Sequence, residues 1–98
     1  MQTKYDIEFL EDATEKLKAL AHPIRFVMVE LLSKSSSLSV TEIHESLDIE
    51  QAVASHHLRI LKNQDIVKVV RDGKNSNYSI AQPEYLDLVQ SLIHIIRK

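Results

Sequence analysis

Ser39-Val40-Thr41-Glu42-Ile43-His44-Glu45-Ser46-Leu47-Asp48-Ile49-Glu50-Gln51-Ala52-Val53-Ala54-Ser55-His56-His57-Leu58-Arg59-Ile60-Leu61-Lys62-Asn63 is the stretch on which the fold turns. Ser39 and Glu42 stand at the spacing of a capping box, in which each side chain satisfies the other residue's orphan backbone N–H. Ile43 and Leu47 follow at i and i+4, so a short helix is predicted over about 40–47. Asp48-Ile49-Glu50 forms a tight turn, and from Gln51 the helical period resumes with Val53, Ala54, Leu58 and Leu61. Two short helices joined by a three-residue turn are the sequence form of a helix-turn-helix, here about 39–63.

Downstream, Ile66-Val67-Lys68-Val69-Val70-Arg71 is rich in β-branched residues and reads as a strand. Asp72-Gly73-Lys74-Asn75-Ser76-Asn77 is turn chemistry around the only glycine, and Tyr78-Ser79-Ile80 returns as a second strand. A β-hairpin over about 66–80, directly after a helix-turn-helix, is a wing. A last helix is expected from Pro83 to about 97. Upstream, Ile7, Leu10, Ala13, Leu17 and Leu20 mark an amphipathic helix over about 7–20. His22-Pro23 interrupts it, and Ile24, Val27, Met28, Leu31 and Leu32 mark a second helix from about 23 to 34. Ser35-Ser36-Ser37 is a short polar connection, and no internal repeat is visible. The expectation is one domain over 1–98, mainly α with a β-hairpin wing: a winged helix-turn-helix.

Composition sets the outer bounds. Ninety-eight residues at 44% hydrophobic content bury only about 60–65% of the unfolded surface. The absence of cysteine excludes disulfides, a thiolate nucleophile and any zinc site built on sulfur. The longest apolar run, Phe26-Val27-Met28-Val29, is far short of the roughly 20 residues that span a bilayer, so no membrane partner is expected. Met1-Gln2-Thr3-Lys4-Tyr5-Asp6 lacks a basic start and an apolar stretch, which points to a cytoplasmic chain. No Ser-His-Asp order, paired catalytic carboxylates or Gly-rich nucleotide loop is apparent, so no enzyme is expected.

The net charge of −2 argues against a nucleic-acid partner at face value, but its distribution does not. Residues 1–15 set Asp6, Glu8, Glu11, Asp12 and Glu15 against Lys4, a net −4. Residues 41–50 hold Glu42, Glu45, Asp48 and Glu50 without a base, again −4. Residues 51–80 hold Arg59, Lys62, Lys68, Arg71 and Lys74 against Asp65 and Asp72, a net +3. Local potential, not the total, governs binding to phosphates.

The last helix carries Tyr85, Leu86, Leu88, Val89, Leu92, Ile93, Ile95 and Ile96, which wrap most of its circumference. A helix with one buried face needs a stripe of only about 100°. Leaving several such side chains wet forgoes roughly 1.5–3 kcal/mol each, so a homodimer is expected.

At this point the chain resembles the ArsR family of prokaryotic winged-helix repressors, over about residues 13–97. Leu17-Lys18-Ala19-Leu20-Ala21-His22-Pro23-Ile24-Arg25-Phe26 is similar to the family's LKALAxPxRLxIL signature. Val53-Ala54-Ser55-His56-His57-Leu58-Arg59-Ile60-Leu61-Lys62 is similar to its VSxHLxxLxxxGLV recognition helix. Asp72-Gly73-Lys74 through Tyr78-Ser79-Ile80 is similar to its xGxxxxYxL wing. The resemblance implies a homodimer built from the first and last helices, with Leu10, Leu86, Val89, Leu92, Ile93 and Ile96 as interface candidates. It implies repression by binding a double-stranded operator, relieved by a signal. Major-groove contacts then fall on Gln51, Ser55 and His56, with Arg59 nearby, and Arg71 and Lys74 supply wing charge. The chemistry agrees: Gln pairs with adenine, Ser reaches a phosphate or base edge, and Arg or His⁺ favours phosphate or guanine.

The chain also departs from the family. Glu50 stands where a serine cap is usual, Ala52 where many members carry a polar side chain, and Asp65 where glycine is usual. Asp tolerates left-handed geometry, so that turn survives. Metal-sensing members carry cysteines where this chain has Ser39 and Thr41. Others use a C-terminal ligand set whose positions here read Gln82, Glu84, Ile95 and Lys98. No metal, cofactor or inducer is therefore assigned from the sequence, although His94 with Glu84 or His44 leaves an irregular site across a dimer open. Of the other histidines, His22 reads as a cap, His44 as solvated surface, and His57 as packed or solvent-facing. The alternative function is a protein–protein interaction module that keeps the fold without strong DNA affinity, motivated by the net −2, Glu50 and Ala52.

Overall fold

The computed structural model describes residues 1–98. Its elements are α1 (Ile7–Leu20), α2 (Pro23–Leu32), β1 (Leu38–Ser39), α3 (Val40–Leu47), α4 (Gln51–Asn63), β2 (Val67–Asp72), β3 (Asn75–Ile80) and α5 (Glu84–Ile96). No helix is long and apolar enough to cross a membrane.

Three of the five helices, α1, α2 and α3, start on a side-chain cap. The Asp6 carboxylate accepts the Phe9 N–H at 2.8 Å and caps α1. His22 Nδ1 accepts the Ile24 N–H at 3.1 Å and caps α2, with Pro23 in the first turn. The expected capping box is formed: Glu42 N–H donates to Ser39 Oγ at 3.1 Å, and Ser39 N–H to Glu42 Oε1 at 3.0 Å. Pro83 precedes α5 as its N-cap, so the helix begins one residue later than expected.

The stops are equally local. Asp48 ends α3 at φ 53°, in the left-handed region where Asp is among the few tolerated residues. Asp65 takes φ 57° after α4, so it does serve where the family uses glycine. Gly73 opens the two-residue hairpin loop at φ 61°, the positive angle a type II′ turn requires at its first central position.

The wing pairs β2 with β3 antiparallel, from Val67 opposite Ile80 to Asp72 opposite Asn75. Leu38 and Ser39 add a third strand, opposite Tyr78 and Asn77, giving the order β1-β3-β2. This strand was not expected, because two residues are too short to show a period. α2 ends at Leu32 rather than near 34.

Met28, Val29 and Leu32 of α2 form the centre of the core, with Ile43 of α3, Ala54, Leu58 and Leu61 of α4, Ile66, Val67 and Val89. α1 reaches that core only through its last turn, where Ala19 and Leu20 are buried. Its first half stands off the body, with Ile7 and Phe9 exposed. The radius of gyration, 14.6 Å, exceeds the about 13 Å of a compact 100-residue domain. The accessible surface of 6968 Å² likewise exceeds the about 5,700 Å² expected for a compact monomer of 11.2 kDa.

Candidate nucleic-acid interface

α4 carries Gln51, Ser55 and Arg59 at i, i+4 and i+8, hence along one line of its surface. Gln51 and Arg59 are exposed and Ser55 is half-buried. His56, about 100° around the helix, is also exposed, as are Lys62 and Asn63. The opposite side is the buried stripe Ala54, His57, Leu58 and Leu61, which presses α4 onto the core. Glu50 makes no side-chain capping bond at the start of α4, so its carboxylate gives the helix only a favourable charge near the dipole.

The helix is held by one cation at its middle and another at its C-terminal end. Arg25 of α2 donates from Nη1 to His57 Nδ1 at 3.0 Å and from Nε to the Ala19 carbonyl. Lys16 of α1 donates to the carbonyl of Gln64, the C-cap of α4, at 2.9 Å and pairs with Asp12 at 3.5 Å. His57 is 8% exposed, so the packed reading of this residue holds. Burial pushes its proton affinity below the usual imidazole range, aided by the neighbouring His22, Arg25 and His56. His44 departs from its expected place in solvent: it is half-buried, with Nδ1 3.2 Å from the Ile49 carbonyl in the turn between α3 and α4.

On the wing, Arg71 donates to Ser76 Oγ across the strand pair at 3.3 Å, and Lys74 is exposed at the hairpin tip. The three ion pairs of the chain are Asp12–Lys16, Glu15–Lys18 and Glu30–Lys34, all before residue 35. Arg59, Lys62, Lys68, Arg71 and Lys74 are thus free of carboxylate partners, as cations that meet phosphates need to be.

A second exposed face has the opposite chemistry. Leu88, Leu92 and Ile95 form an outward stripe on α5, with Ile96 beside it. Together with Leu17, Leu20, Ala21 and Phe26, Leu88, Val89 and Leu92 line a wholly apolar groove of about 350 Å³. Here the expected interface needs correction. Val89 is 2% exposed and belongs to the protomer's own core, against which Tyr85 and Ile93 also pack. Leu10, Leu86 and Ile93 are half-buried, whereas Leu92 and Ile96 are 46% and 74% exposed. Six of the eight apolar positions of α5 fall in two stripes one residue apart, the inner one 85/89/93 and the outer one 88/92/95, and the expected set names only Leu92 of the outer stripe. No group of three or more His, Cys, Asp or Glu side chains is arranged to hold a metal.

Comparison with known proteins bears on this arrangement. The model of the family described as "Bacterial regulatory protein, arsR family" matches residues 22–69. The transcriptional repressor PagR of Bacillus anthracis is 35% identical over 89 residues, covering 91% of this chain and 89% of that protein. The uncharacterised HTH-type transcriptional regulator MJ1325 of Methanocaldococcus jannaschii is 33% identical, over 86% of this chain and 94% of its own length. The crystal structure of PagR superposes with a TM-score of 0.79 at 34% identity, over 89% of this chain and 99% of that one. A homodimeric winged helix-turn-helix DNA-binding domain, Mb0332 from Mycobacterium bovis, superposes with a TM-score of 0.82 at 25% identity, over 99% of this chain and 88% of that one. With its helix-turn-helix, its wing and relatives that match it nearly end to end, the chain belongs to the arsR family of bacterial regulatory proteins.

Proposed function

We propose that the chain is a homodimeric, sequence-specific transcriptional repressor that binds an inverted-repeat operator through α4 and the wing. The observation that carries this reading is the row Gln51, Ser55, Arg59 on an exposed helix, flanked by His56 and by cations without carboxylate partners. Gln51, Ser55 and His56 meet base edges or phosphates in the major groove, and Arg59 takes guanine or phosphate. Arg71 and Lys74 of the wing lie against the backbone or minor groove.

The second copy covers the apolar face. The surface in excess of a compact monomer is about 1,300 Å², more than the roughly 800 Å² each partner contributes to a standard interface. Leu88, Leu92, Ile95 and Ile96 form the centre of this interface, with Leu10, Leu17, Leu86 and Ile93 at its borders. Two recognition helices then sit about 34–36 Å apart, one turn of DNA. A chain that acts on genomic DNA works in the cytoplasm. Relatives named as transcriptional repressors, matched nearly end to end, disfavour the interaction-module alternative.

Selection of genomic fragments by the purified protein at about 50 and 200 mM salt, with the dimer state read in parallel, tests this reading. An enriched inverted repeat whose binding weakens with salt is the expected result. A stable dimer that enriches nothing at either salt overturns it.

A further inference from the structure

Arg25 joins three helices: it sits on α2, donates to the Lys18 and Ala19 carbonyls of α1, and donates to His57 of α4. A guanidinium has only donors. His57 Nδ1 must therefore accept, which places the imidazole proton on Nε2. His22 is bound by the same logic, since its Nδ1 accepts the Ile24 N–H at 3.1 Å. Both rings do their structural work as neutral Nε2–H tautomers, and protonation of either one turns an acceptor into a donor aimed at a donor.

The neighbours make that change hard to absorb. The His22 and His57 rings lie 4.4 Å apart by their centroids, and those of His56 and His57 5.0 Å apart. The charged or titratable groups acting on His57 are His22 and Arg25 from α2 and its start, and His56 from α4 itself. Each of them is basic; no carboxylate of α1, α3, β2 or α5 balances them. Glu15 of α1, which borders the same groove as Arg25, is engaged by Lys18 at 3.2 Å. A positive His57, itself only 8% exposed, would stand beside a guanidinium and two other imidazoles.

We propose that Arg25 and His57 are positioning residues for the recognition helix, and that this seat is proton-gated: neutral His57 holds α4 on α2, and acidification frees the N-terminal half of α4 and lowers DNA affinity. The sign is fixed by geometry and burial together. His57 binds its proton less readily in the fold than in the unfolded chain, so its contribution to holding α4 is present above the ordinary imidazole range and is lost as pH falls below that range. Simple charge effects run the other way, because acid makes the protein as a whole more positive and strengthens phosphate binding. A fall in affinity on acidification therefore separates the gate from ordinary electrostatics. Only this last readout rests on α4 being the DNA-reading helix.

The test uses the full chain at about pH 7.5 and about pH 5.5, on either side of the free imidazole range. Amide hydrogen exchange, corrected for intrinsic rates, should show protection at Ala54–Leu58 falling several-fold more than protection in β2 and β3 at the lower pH. His57→Asn keeps an acceptor for Arg25 but does not titrate, and its α4 protection should not depend on pH. Equal loss in the wild type and in His57→Asn, or no selective loss in the wild type, overturns the gate. In imidazole NMR of the wild type, His57 should keep the neutral Nε2–H tautomer to below the ordinary imidazole range, and Arg25→Gln should move its titration upward. A His57 that titrates in the ordinary imidazole range and ignores Arg25→Gln also overturns the proposal. On the duplex enriched in the genomic selection, wild-type affinity should fall several-fold on acidification, while that of His57→Asn holds or rises; identical pH profiles count against the gate. A chain that binds no duplex at about pH 7.5 defeats the DNA reading alone, and the exchange and NMR results then decide the gate.

Discussion

α4 and α5 are both thirteen residues long, and both leave one face in solvent. Their uses of that face are opposite. α4 buries four side chains in one stripe and exposes Gln51, His56, Arg59 and Lys62. α5 buries Val89 alone and exposes Leu88, Leu92, Ile95 and Ile96. The first surface is stable in water and, in the proposed reading, meets a polyanion. The second is costly in water, because each such side chain gives up roughly 1.5–3 kcal/mol by staying wet, and in the proposed dimer another apolar surface completes it. Helical period alone makes the two alike; the chemistry of the outward stripe tells them apart.

Four substitutions probe that contrast, in descending order of effect. Leu92→Glu places a carboxylate at the centre of the apolar groove, where a partner would have to desolvate it. Sedimentation should show a monomer, and affinity for the selected operator should drop about 10³-fold, toward non-specific binding. A variant that still sediments as a dimer moves the interface away from α5. Arg59→Ala leaves the dimer intact and should weaken operator binding by about 1–3 kcal/mol, with relaxed preference at one base position. Lys74→Ala should act on every sequence alike, reducing the log–log salt slope by about 1, the value of a single neutralised phosphate. A salt slope unchanged from the wild type takes the wing tip off the DNA. Ser39→Ala touches neither face. Loss of the cap on α3 should lower stability by about 1 kcal/mol and the melting temperature by roughly 4–8 °C, read by thermal unfolding.

The parts of the molecule that were legible in the sequence are those with local causes. The two ends of α3 follow from Ser39, Glu42 and Asp48, each acting within four residues of itself. The hairpin turn follows from Gly73, whose positive φ no neighbour has to enforce. The exposed row on α4 follows from period and side-chain type. What stayed hidden was non-local or too short. β1 is two residues long and exists because Tyr78 and Asn77 offer it an edge. The Arg25–His57 bond joins residues 32 apart, and nothing in either segment names the other. Val89 looked like an interface residue because composition shows only that α5 is apolar most of the way round; which stripe faces inward depends on how α2 packs against it.

The bond from Lys16 to the carbonyl of Gln64 ties α1, an interface helix of the proposed dimer, to the C-terminal end of α4, its proposed recognition helix. In the proposed dimer the two reading heads are therefore set by the quaternary frame, with little freedom to swivel on their own. Such a molecule measures as well as reads. One base pair inserted between the half-sites turns one of them by about 34–36° around the duplex axis, and the frame has no joint with which to follow. The operator is then a ruler as much as a text, and a site with two intact half-sites at the wrong phase is bound as one half-site.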